Sequence, residues 1–92
     1  NMSVFAKDLS VHFRDLLVIK TLPSANDMLG LSREMFSAYK AQADRMDSKW
    51  LIESLKNFSS IEADLRYSLS PKTLVETAIV KCLGDFDVKK ND

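Results

Sequence analysis

The sequence predicts an all-α fold, a compact bundle of four to five helices. Only two glycines and two prolines occur among the 92 residues, and they fall between periodic segments rather than inside them. Apolar residues recur at helical spacing along most of the chain, and residues that favour helices, such as Leu, Lys, Glu and Ala, are common. A chain of this length forms one domain with one core.

The first predicted helix runs from about Ser3 to Lys20, and Thr21-Leu22-Pro23 ends it, because proline disfavours helical geometry in the preceding residue. Its main apolar stripe consists of Phe5, Leu9, Phe13, Leu16 and Leu17. A second line of valines, seven residues apart on another face, consists of Val4, Val11 and Val18. Residues 23–30 are predicted to form a loop with a short turn at 26–29.

Two further helices follow this loop. Ser32 is the predicted N-cap of a second helix that ends near Met46. Asp47 or Ser48 is the predicted cap of a third helix, which runs without proline or glycine over about 49–68. The apolar stripe of this third helix contains Leu51, Leu55, Phe58, Leu65 and Leu69, with Trp50 and Ile61 beside it.

The last predicted helix begins at Ser70-Pro71, since serine caps a helix and proline at the first helical position loses no hydrogen bond. Gly84 is expected to end this helix. The predicted domain covers residues 1–92, with an ordered core over about 4–84 and a frayed tail over 85–92. Because the chain starts with Asn1-Met2, we expect a fragment of a larger subunit.

The composition excludes several functional classes. Apolar residues make up 46% and charged residues 28%, which excludes disorder caused by low hydrophobicity. Basic and acidic residues number 13 each, so no overall basic field attracts nucleic acid. One cysteine permits no internal disulfide and no Cys₄ or Cys₂His₂ zinc site. The longest apolar run, Leu16–Ile19, is too short to cross a membrane. We expect a cytoplasmic domain without cofactor or metal.

Few side chains offer catalytic chemistry. His12 has Asp8 and Asp15 at helical spacing, which suits a general base but more often indicates a surface pair between histidine and one of these carboxylates. Cys82 shares a face with Ala78 and Ile79, which favours a buried small side chain over a nucleophile. Two glycines are too few for a phosphate-binding loop or a dinucleotide fingerprint. No catalytic or nucleotide-binding residue is predicted.

Apolar residues also lie outside the stripes that a four-helix packing needs. The valine line lies on the first helix, and Val80 lies away from the main stripe of the last. Either a partner or a fifth helical segment covers such residues. The interface candidates are Val4, Val11, Val18 and Val80.

Two sequence runs resemble the gamma/tau subunit of bacterial DNA polymerase III, the ATPase subunit of the sliding-clamp loader. Residues 12–20 read HFRDLLVIK, similar to the family's H-x-R-D-L-L-x-x-K. Residues 63–78 read ADLRYSLSPKTLVETA, similar to L-R-x-S-x-N-P-R-x-x-L-E-x-A. Ser70 stands where the family often has Asn, and Lys72 where it often has Arg. The resemblance extends from about Val4 to Gly84.

The resemblance implies a non-catalytic collar domain, the third domain of that subunit. Collar domains of gamma/tau, delta and delta-prime pack into a pentameric ring that supports ATP-dependent loading of the sliding clamp during DNA replication. ATP hydrolysis belongs to the preceding domains, so the full-length parent is an ATPase subunit while this domain is not an enzyme. In some lineages an accessory protein docks on the collar. We expect the isolated domain to be a monomer or a weak self-associator.

Four charged residues in or beside the matched runs are predicted to fix the register between helices: Arg14, Asp15, Arg66 and Glu76. The guanidinium of Arg66 is expected to bind the last carbonyls of its own helix, Asp15 or Glu76. Two alternatives to the collar remain. One is a helical nucleic-acid-binding module, and the other is a small enzyme that uses His12 or Cys82.

Overall fold

The computed structural model describes residues 1–84 in full and, beyond them, only the extent of the last helix. The described part contains five α helices and no β strand. They are α1 (Met2–Thr21), α2 (Ala25–Leu29), α3 (Arg33–Asp44), α4 (Ser48–Leu65) and α5 (Pro71–Asn91). The prediction of an all-α bundle is confirmed. Its fifth member is the short helix α2, which lies where the sequence predicts a loop with a turn.

Side-chain caps set the starts of α3 and α4. The Oγ of Ser32 accepts a hydrogen bond of 3.1 Å from the backbone N–H of Met35. A carboxylate oxygen of Asp47 accepts one of 3.0 Å from the N–H of Trp50. Each cap satisfies a donor that has no partner inside its own helix. The predicted cap at Ser32 is therefore confirmed, and of the two candidates for α4 the structure selects Asp47.

The two glycines behave differently. Gly30 has a φ of 64° and a ψ of 31°, and its N–H donates to the carbonyl of Asn26, which ends α2. Gly84 has no positive φ, and α5 continues past it to Asn91. The predicted helix end at Gly84 is wrong, because glycine ends a helix only where the chain turns into the left-handed region. The predicted frayed tail, residues 85–92, lies outside the fully described residues.

Helix α1 is the centre of the packing, since α2, α3, α4 and α5 all contact it. Helix α4 also packs against α5. The buried face of α1 carries Ala6, Phe13, Leu16 and Ile19. Of the stripe predicted for this helix, Phe13 and Leu16 are buried, Leu9 and Leu17 are half-buried, and Phe5 is 44% exposed. The prediction is therefore wrong for Phe5, because the side chains around it leave an open hollow.

Candidate functional site

An apolar hollow lies where α1, α4 and α5 meet, with a volume of about 280 Å³. Its lining consists of Phe5, Leu9, Phe13, Trp50, Phe58, Ile79, Cys82 and Leu83. Phe5 and Leu83 stand at its rim, and Leu83 is 56% exposed. Exposed apolar surface gathered in a concave site is typical of surfaces that receive apolar groups of a partner.

Hydrogen bonds beneath the hollow hold α4 against α5. The indole N–H of Trp50 donates to the carbonyl oxygen of Cys82 over 3.0 Å. The amide nitrogen of Asn57 donates to the carbonyl of Ala78 over 2.8 Å and to the Sγ of Cys82 over 3.1 Å. Sequence reasoning did not find these contacts, because the partners lie 21 to 32 residues apart in the chain. A tryptophan and an asparagine on one helix give no signal for where such partners lie.

The two residues that could carry catalysis both have structural partners. Cys82 is 6% exposed, so its predicted burial is confirmed. His12 places its Nε2 3.0 Å from the Oε1 of Gln42 on α3, and its ring meets the ring of Tyr39 edge-on at 4.8 Å. The predicted pairing of His12 with a carboxylate on its own helix is therefore wrong. The ring is turned towards α3, where packing and a hydrogen bond are available together.

The structure leaves most of the predicted interface residues exposed. Val4 is 55% exposed, Val11 36% and Val80 67%. Val18, by contrast, is partly buried and packs against the core. The fifth helix, α2, contacts α1 but does not bury Val4 or Val11. Of the two alternatives left by the sequence, cover by a fifth helix therefore does not apply to these two valines.

The four charged residues that were predicted to fix the register between helices do not all contact one another. The Nη2 of Arg14 lies 2.8 Å from an oxygen of Asp15, so this ion pair joins neighbours on α1 rather than two helices. Arg66 and Glu76 are both exposed, and within residues 1–84 neither side chain makes a hydrogen bond or an ion pair. A role of these four residues in fixing the register between helices stays a prediction.

A second hollow, more polar and about 450 Å³ in volume, lies between the start of α1 and the end of α4. It is lined by Ser3, Lys7, Glu62, Ala63, Arg66 and Tyr67. The two cations face a surface that also carries a carboxylate and is open to water, so the net charge of this hollow is small.

Within the described residues, no three His, Cys, Asp or Glu side chains gather where they would hold a metal ion. No helix of this part combines the length and the apolar character needed to cross a bilayer. Comparison of the chain with models of protein families, with curated proteins and with solved structures finds no match to any of them.

Proposed function

We propose that this domain is a non-catalytic oligomerisation module, a collar domain of a clamp loader that packs against neighbouring subunits through helix contacts. The observation that carries the proposal is the exposed apolar surface on two helices. Phe5 and Leu83 flank the apolar hollow, and Val4, Val11 and Val80 lie exposed on α1 and α5. Burial of such surface favours association by about 25 cal/mol for each Å² of apolar area removed from water.

The proposed partners are the gamma/tau, delta and delta-prime subunits, in the cytoplasm. This part of the proposal is supported by the two sequence runs that resemble the gamma/tau family. The first run lies on α1 and the second spans the end of α4 and the start of α5. These helices also form the hollow, and Phe13 of the first run is one of the residues that line it.

The packing around the hollow suits a docking role. Trp50 and Asn57 fix the backbone of α5 from below, so the floor keeps its shape while the rim stays open. A preformed site loses less conformational entropy on binding than one that must be ordered first. We propose that the hollow receives an apolar side chain of the neighbouring collar.

The test is binding of this chain to the clamp-loader subunits of the organism that encodes it, followed by sedimentation velocity. The exposed position of Leu83 allows Leu83→Asp without loss of the fold, and Leu69→Asp makes the same change at a fully exposed position between α4 and α5. We expect the chain to bind at least one subunit. Leu83→Asp should weaken this binding about ten-fold or more, equivalent to about 1.4 kcal/mol, and Leu69→Asp should not.

Two results would contradict the proposal. One is that no loader subunit binds the folded chain. The other is that Leu83→Asp binds as tightly as the unchanged chain. Retention of DNA with an affinity that falls steeply as salt rises would instead favour the nucleic-acid-binding alternative, since phosphate contacts release counterions.

A further inference from the structure

The outer face of α1 carries a line of valines, of which Val4 and Val11 are left uncovered by residues 1–84. Residues seven apart on a helix differ by only about 20° in direction. Val4, Val11 and Val18 therefore lie along one line, and the first two are exposed. The buried side chains of α1, such as Ala6 and Phe13, lie on the opposite side of the helix. Val4 and Val11 thus face away from the core, while Val18, at the end of the line, packs against it.

Charged residues flank the valine line with one sign on each side. At about 100° per residue, Lys7 and Arg14 lie roughly 40–60° to one side of Val11, and Asp8 and Asp15 lie the same angle to the other. Arg14 and Asp15 are joined across the line by their ion pair. Lys7 and Asp8 are exposed and make no ion pair within residues 1–84. The face therefore has an apolar centre at Val4 and Val11, with a basic edge on one side and on the other an acidic edge whose exposed carboxylate is that of Asp8, since Asp15 is only 13% exposed.

This face is complementary in charge to the same face of a second copy, but only when the two helices run parallel. We infer that α1 pairs with α1 of a second copy of this chain, with the two helices parallel and related by a two-fold axis that runs along them. Such an axis sets the basic edge of each helix opposite the acidic edge of the other. An antiparallel pair would set like charges together, which is unfavourable. Lys7 then faces Asp8 of the second copy, while the valines of the two copies meet between the edges.

The size of this face determines the strength of the pairing. A helix of 20 residues is about 30 Å long, and a stable interface buries roughly 1,200–2,000 Å² in total. Contact through one helix face reaches at most the lower end of this range, so the dimer is weak and sensitive to salt. The contact uses the same patch on both copies and so differs from the head-to-tail contacts of a ring. The pairing requires no loader subunit, but it buries Val4 and Val11, which the proposed function also counts as exposed apolar surface.

Reversal of charge on one edge at a time tests the pairing. Lys7→Glu/Arg14→Glu makes both edges acidic, and Asp8→Lys/Asp15→Lys makes both basic. In sedimentation equilibrium we expect the unchanged chain to dimerise, and each double variant alone to have a dissociation constant at least about ten-fold higher. An equimolar mixture of the two variants should associate again. Lys49→Glu/Lys56→Glu, the same change of charge on the exposed side of α4, should leave dimerisation unchanged.

A cysteine at position 4 tests the orientation. In a Cys82→Ala background, Val4→Cys should form a disulfide between copies, because a parallel pair in register brings the two positions within the roughly 4–7 Å that a disulfide spans between Cα atoms. Met28→Cys, at an exposed position of α2, should not. Circular dichroism checks that each variant is folded. The inference is overturned if the unchanged chain stays monomeric up to about 1 mM, if the mixed charge variants do not associate, or if position 4 does not cross-link.

Discussion

At the scale of single residues, Ser10 lies on the buried face of α1 with a hydroxyl oxygen that has no hydrogen-bond partner among the described residues. The residue is 6% exposed, so its hydroxyl is shielded from bulk water. A buried polar group without a partner costs about 1–3 kcal/mol. We therefore expect serine at this position to lower the stability of a helix that contacts all four others.

We expect Ser10→Ala to raise the free energy of unfolding by about 1 kcal/mol, from removal of the unpaired hydroxyl and from the better helix propensity of alanine. Ser37→Ala, at an exposed position inside α3, provides the control for propensity alone and should add about 0.5 kcal/mol. Urea denaturation followed by circular dichroism measures both. An equal or smaller gain for Ser10→Ala than for Ser37→Ala would contradict this account of the buried hydroxyl.

At the scale of elements, the two glycines mark a helix end in one case and a helix interior in the other. Gly30 closes α2 in the left-handed conformation, which a side chain makes costly. Gly84 lies within α5, and apart from its chain neighbours and the adjacent backbone of its own helix, a Cβ added there would meet no atom within 4 Å. The same residue type thus stabilises one element and weakens another, and the backbone conformation decides which.

Replacement of each glycine by alanine should therefore have opposite effects. Gly84→Ala should stabilise the domain by about 0.5–1 kcal/mol, because alanine loses less backbone entropy in a helix. Gly30→Ala should destabilise it by about 1–2 kcal/mol, because its φ is positive. Thermal unfolding of the two variants side by side measures the signs. A loss of stability in Gly84→Ala would contradict this account, because it would show that glycine is needed at position 84 for a reason other than helix propensity.

At the scale of the whole molecule, the packing depends on one helix. Because α2, α3, α4 and α5 all contact α1, loss of α1 removes packing from every other element. Small single domains usually unfold in one cooperative step. Trp50, the one tryptophan of the chain, packs edge-on against Phe13 of α1 and donates to α5, so its fluorescence reports on three helices.

Leu16→Ala tests this dependence, since Leu16 is fully buried in α1. We expect a loss of about 2–5 kcal/mol, with helix content and Trp50 fluorescence lost in the same urea transition. Val4→Ala, at an exposed position of the same helix, should change stability by no more than about 0.5 kcal/mol. Two separate steps in circular dichroism, with fluorescence following only one of them, would show that α3 or α2 unfolds independently of the α1 packing.

The hollow and the buried contacts could not be predicted from the sequence, because they depend on how distant helices pack together. Phe5 has the same periodicity as Phe13, yet one is exposed and the other buried, because burial depends on which neighbouring helix passes over a given turn. His12 likewise has carboxylates nearby in sequence but bonds to Gln42, 30 residues away. Periodicity gives the direction of a side chain from its own helix axis and gives nothing about the helices around it.

By itself, the sequence determined the all-α class, the start of α3 at Ser32, the start of α4 at Asp47 or Ser48, and the burial of Cys82. These features follow from local rules, namely propensity, capping and spacing within one helix. Only the tertiary structure decided that α5 continues through Gly84, that the hollow between α1, α4 and α5 stays open, and that Val4 and Val11 remain exposed while Val18 packs inward. Each of these depends on contacts between distant segments, and their energies are set by packing geometry that a linear pattern does not contain.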